Sequence, residues 1–146
     1  MIFVLLFGLV FVGCAVAPND DPKTLVIRNI PESVFNPDYK DVGGLLGIYP
    51  VGTTPQQAMP VSDFLIAGAY LDNTGVIVDG SGPYTVTVPL YDFSNFDPGG
   101  WTGSGTFDIY VEFVRGAGYY RFGSVNFSSA TTSIPFSRAA LVSPIR

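Results

Sequence analysis

Side chains able to do chemistry are densest in Tyr91-Asp92-Phe93-Ser94-Asn95-Phe96-Asp97-Pro98-Gly99-Gly100-Trp101, which Pro98-Gly99-Gly100 prevents from running on as a strand. Aromatic faces stack on the apolar faces of sugars, and carboxylates and amides bond their hydroxyls. Phe93, Asn95, Phe96, Asp97 and Trp101 are therefore the candidate carbohydrate or small-ligand site. Such a site needs at least two of the rings of Phe93, Phe96 and Trp101 exposed and coplanar. The alternative is that the rings cap one end of a core. Asp92, Asn95 and Asp97 also offer oxygens to a calcium ion, but Ser94 and Phe96 stand where a calcium loop needs different residues, so no metal and no cofactor is expected.

Hydrolysis by paired carboxylates would draw on Asp108 and Glu112. Four residues apart on one strand face, they stand about 13 Å from each other, too far for a retaining or inverting pair. They read as solvent-facing residues. Arg115 and Arg121 flank Gly116-Ala117-Gly118, where either could pair with Glu112 across a ladder, and no Gly-rich loop opens a helix for phosphate. The chain has no histidine, which excludes Ser-His-Asp and Cys-His sites and histidine-ligated metals. No enzymatic activity is expected, and a hydrolase would have to bring carboxylates together from different strands. A net charge of -5 argues against a nucleic-acid partner. Asn126-Phe127-Ser128 matches a glycosylation pattern but falls in or beside a predicted strand. Asp72-Asn73-Thr74-Gly75 is a turn.

One cysteine is present, Cys14, and its setting is distinctive. Met1 to Ala17 carries no charged residue, and the apolar run Ile2 to Val12 has the length of a signal-peptide core and is short for a membrane span. Phe11-Val12-Gly13-Cys14 resembles the lipobox of bacterial lipoproteins, with Phe11 in place of the common Leu and with no Lys or Arg ahead of the apolar run. The resemblance implies cleavage after Gly13, a diacylglyceryl group on the Cys14 thiol and an acylated new amino terminus, and several acyl chains anchor stably where one does not. It implies a cell-envelope location, in the outer membrane if the host has two membranes, since Ala15 rather than Asp follows the cysteine. A plain anchor helix and a buried element of the domain are the alternatives, but the run has no amphipathic period and ends in the polar, proline-bracketed Ala15 to Pro22.

The rest must position whatever these residues do. At 146 residues, 47% hydrophobic and 13% charged, the chain suits one domain that buries about two thirds of its unfolded surface. From Thr24 onward the apolar pattern has period two, and short runs are broken by Gly, Pro, Asp, Asn and Ser. Strands are predicted at Thr24 to Ile30, Leu45 to Pro50, Phe64 to Leu71, Gly75 to Val78, Tyr84 to Tyr91, Thr106 to Arg115, Tyr119 to Phe127 and Thr131 to Ser137. In the strand from Thr106, the face of Phe107, Ile109, Val111 and Phe113 is core, and the face of Asp108, Tyr110 and Glu112 is wet. Asp79-Gly80-Ser81-Gly82 closes a hairpin, Pro89 marks an edge strand or a strand end, and a phase slip at Gly123-Ser124 marks a bulge. The last three strands read as a meander.

The fold class is thus all-β, a two-sheet antiparallel sandwich of about eight short strands of immunoglobulin-like or transthyretin-like character, with a small barrel as the alternative. The chain divides into a signal peptide (1–13), a lipidated tether (14–23) and one sandwich domain (24–146). The expected function is non-catalytic: a lipid-anchored envelope protein with a structural or protein-interaction role, partnered by the membrane and by an unspecified protein or glycan. A carbohydrate or small-ligand module using loop 91–101 is the second reading.

Overall fold

The structure is a computed structural model, and it describes residues 21–34, 44–58, 63–71, 77–79, 82–93, 99–114 and 116–142. The signal peptide and most of the tether, Cys14 included, lie outside the described residues.

The chain builds β1 (Thr24–Ile30), β2 (Leu45–Pro50), β3 (Ala67–Tyr70), β4 (Ile77–Asp79), β5 (Tyr84–Pro89), β6 (Tyr91–Asp92), β7 (Gly105–Glu112), β8 (Tyr119–Phe127), β9 (Thr131–Pro135) and β10 (Ala140–Val142), with 3-10 turns at Glu32–Val34 and Phe136–Arg138. A small sheet has the order β4-β5-β1-β9 and a large sheet the order β10-β8-β7-β2-β3-β6. Both orders are open, so the fold is a sandwich and not a barrel. Leu25, Ile27, Val86, Val88 and Ile134 of the small sheet pack in one cluster with Leu46, Ile48, Ile109, Val111, Phe122, Val125 and Phe127 of the large one. These are the period-two positions, because alternate side chains of a strand share a face.

β1 and β2 begin and end where predicted, each bounded by proline. β4 and β5 form the predicted hairpin, and β5 ends at Pro89, which cannot donate to a ladder. The bulge in β8 is present: Phe107 pairs with Val125 and Ile109 with Phe122, so Gly123 and Ser124 together face Asp108. Ser124 takes a φ of 52°, the left-handed conformation that the extra residue demands.

Two expectations are corrected. The last strands do not form a meander, for β9 crosses to the small sheet and pairs parallel with β1 from Thr24↔Thr131 to Arg28↔Pro135. The place beside β8 goes to β10, with Leu141 opposite Tyr120. Ser128-Ser129-Ala130 ends β8, but a turn does not choose the receiving sheet. Thr132 and Ile134 find burial on the small sheet, and the turn at Phe136–Arg138 brings the chain back.

Nor is the middle of the second face of β7 wet. Asp108 is 0% exposed and Tyr110 is also buried, because the connection after β2 folds over them. Ala58 and the partly buried Leu65 pack there against Tyr49 and Tyr110, with Val142 of β10 alongside.

Candidate functional site

The loop after β5 meets the start of the domain. Lys23 donates its amide to the Trp101 carbonyl at 2.7 Å, Leu90 donates to the Lys23 carbonyl at 3.0 Å, and Trp101 donates to the Leu90 carbonyl at 2.8 Å. Gly100 is required by close approach, since a Cβ there would stand 2.5 Å from the Cβ of Pro22. The last tether residues are thus built into the base of the aromatic loop.

Within that loop Trp101 faces inward and is 4% exposed. Its indole meets the rings of Phe107 and Phe127 edge-on, at centroid distances of 5.4 and 5.1 Å. This corrects the assignment of Trp101 as a ligand-stacking residue: a ring wedged into the core offers no face to a sugar. Phe93 is partly exposed and meets Tyr70 at 6.3 Å in a T-shaped contact, which occupies one of its surfaces. Asn95, Phe96 and Asp97 lie outside the described residues. Sequence reasoning missed the exposed Tyr70 and Tyr91, which share a face at the β3–β6 edge because Tyr91 pairs with Gly68.

The other concentration of polar groups lies on the outer face of the large sheet. Register places Tyr49 opposite Asp108 and Tyr110 opposite Arg121. Asp108 Oδ2 accepts from the Arg121 guanidinium at 2.8 Å and from the Gly52 amide at 2.9 Å, and Oδ1 accepts from the Ser124 amide at 2.9 Å. Burial pushes the Asp108 carboxyl up, but the bonds from Arg121, Ser124 and Gly52 outweigh it and hold the group below its ordinary value. The same bond holds the Arg121 guanidinium above its ordinary value, against partial burial. Arg121 therefore pairs with Asp108 and not with Glu112, whose carboxylate accepts from the Gly116 amide at 2.6 Å and caps the β7–β8 hairpin. Arg115 lies outside the described residues.

Beside this joint the Tyr110 hydroxyl donates to the Thr53 carbonyl at 2.6 Å. Tyr49 meets Tyr110 edge-on at 5.7 Å, and its ring folds back over Gly47, where a Cβ would stand 2.5 Å from the ring. Burial pushes the Tyr49, Tyr110 and Tyr119 hydroxyls up. The signal available in the sequence was Tyr49 and Tyr110, bulky rings on a strand face otherwise read as wet.

This arrangement fastens one segment to another. Both Asp108 oxygens are occupied, by Gly52 of the connection after β2 and by Arg121 and the bulge residue Ser124 of β8, so the carboxylate holds that connection against β8. Among the described residues no group of three acidic, histidine or cysteine side chains converges to hold a metal ion, and no helix is long and apolar enough to cross a membrane. Comparison with protein-family models, with curated proteins and with solved structures returned no match.

Proposed function

We propose that the chain is a lipid-anchored cell-envelope protein whose β-sandwich has a non-catalytic, structural or protein-interaction role. The observation that carries this reading is Phe11-Val12-Gly13-Cys14, which closes an uncharged apolar run and precedes a polar tether. Two structural features support it. The tether ends by locking onto the domain through Pro22 and Lys23, which gives an anchor a fixed point of attachment, and the buried carboxylate Asp108 holds a connection in place. If the host has two membranes, Ala15 after the cysteine directs the protein to the outer one.

The test compares wild type with Cys14→Ala in cells grown with labelled palmitate. Label in the wild type alone, together with its recovery in the membrane fraction, supports the anchor; equal labelling of both sinks it.

A further inference from the structure

We infer that the end of the sandwich from which the tether leaves is seated against the lipid bilayer, with Val51, Phe64, Tyr91 and Phe93 at the lipid interface. This rests on the anchor reading.

The tether sets the distance. Cys14 and Asp21 are seven residues apart, which spans at most about 25 Å even when fully extended. Pro22 and Lys23 are fixed on Gly100, Trp101 and Leu90, so there is no further slack beyond Asp21. A domain held this close presents to the membrane whichever end carries the attachment.

That end is identified by register. β1 starts there at Thr24, paired with Pro89 and Thr131. In the large sheet β2 finishes there at Pro50, opposite Phe107, whose ring touches Trp101. β3 enters from it at Ala67, and β6 runs toward it so that the Phe93 amide faces the Ile66 carbonyl.

Exposed apolar side chains gather at this end. Val51 is 53% exposed, Phe64 43% and Tyr91 42%, while Tyr70, on the same sheet edge, leans its ring to Phe93. Tyr91 forms a bridge with Gly100, the residue against which Pro22 packs. Of the other described large exposed apolar residues, Tyr70 stands at the far end of β3, opposite Leu45, and Leu141 on β10 opposite Tyr120. Aromatic rings with a polar tip or a polar neighbour favour the headgroup level of a bilayer.

Charge names the kind of lipid. Asp21, Asp92 opposite Ala67, and Asp63 next to Phe64 outnumber Lys23 at this end. Acids at a negatively charged surface are repelled within a Debye length, so the seat suits zwitterionic headgroups and is weakened by anionic ones.

The experiment places a tryptophan at either end of the full chain: Tyr91→Trp and Val51→Trp at the tether end, Ala117→Trp in the distant β7–β8 hairpin. The parent, with its buried Trp101, is the baseline. Each chain is joined through its Cys14 thiol to maleimide lipid in phosphatidylcholine vesicles with brominated acyl chains. Coupling makes this arm independent of acylation in the host, which the mass of the host-made protein reports separately.

Tyr91→Trp and Val51→Trp should each lose about half their emission to the bromines, a depth within the interface, while Ala117→Trp and the parent change little. Adding phosphatidylglycerol should reduce the quenching. Unquenched tryptophans at both 91 and 51, or equal quenching at 117, would overturn the inference. Quenching that rises with phosphatidylglycerol would overturn its lipid preference.

Discussion

On β7 the side chains of Phe107, Ile109 and Val111 meet the apolar small sheet, whereas Asp108 and Tyr110, one position out of phase, meet a connection that brings the Gly52 amide and the Thr53 carbonyl. The inner face is closed by area: rings and branched chains from both sheets exclude water, and no partner there is indispensable for its charge. The outer face is closed by pairing: the Asp108 carboxylate and the Tyr110 hydroxyl are each tied to particular atoms of particular segments. An apolar layer tolerates exchange among residues of similar volume, while a buried carboxylate with three donors tolerates almost none. The large sheet thus has one face that gives the domain most of its stability and another that fixes where one connection goes.

The largest effect should come from the inner side. Trp101→Ala removes the indole between Phe107 and Phe127 and should cost about 4 kcal/mol, measured as a loss of unfolding free energy in urea. A cost below about 1 kcal/mol would mean that the ring is not part of the core. Asp108→Asn should follow at about 3 kcal/mol, because it keeps the shape but removes the charge that Arg121, Gly52 and Ser124 address. Its signature is in pH. The folded carboxyl titrates below its ordinary value, so its contribution is complete above about pH 4 and is lost as pH falls through the folded value.

Asp108→Asn should therefore flatten the acid limb of stability against pH, and Trp101→Ala should leave that limb's slope unchanged. The alkaline limb belongs to the outer face as well. Tyr49, Tyr110 and Tyr119 hold their protons more tightly folded than unfolded, so stability falls as pH rises above about 10, where unfolded tyrosines ionise. If Trp101→Ala changed both slopes and Asp108→Asn changed neither, the division between the faces would be wrong.

Asp108 and Glu112 show what a sequence does and does not disclose. They are both carboxylates on one face of one strand, and period two alone makes them equivalent. What separates them is a connection that covers one and stops short of the other, a tertiary fact with no local signature beyond the unexplained rings of Tyr49 and Tyr110. The strands themselves were legible wherever alternation ran between prolines, as in Thr24–Ile30 and Leu45–Pro50, and the β8 bulge was legible from its slipped phase. The crossing of β9 was not, because Ser128-Ser129-Ala130 encodes a reversal and not a destination. For Trp101 the sequence left two readings open, a stacking ring or a cap on the core, and only the rings of Phe107 and Phe127 beside it decide for the cap.

Smaller effects sharpen the contrast. Tyr110→Phe deletes the hydroxyl that donates to the Thr53 carbonyl and keeps the ring against Tyr49, so about 1 kcal/mol should be lost. Amide exchange should quicken in the segment after Pro50 before it does so in β7. Glu112→Gln, on the partly exposed end of the same strand, should change stability by less than about 0.5 kcal/mol. A loss as large as that of Asp108→Asn would restore the equivalence that the structure denies.

The central functional claim, that this sandwich works from a lipid anchor, is tested most directly by the mass of the amino-terminal peptide of the protein isolated from host membranes. The account predicts a peptide that begins at Cys14 and carries diacylglyceryl and acyl groups. A peptide that retains Gly13 and an unmodified Cys14 thiol would contradict it.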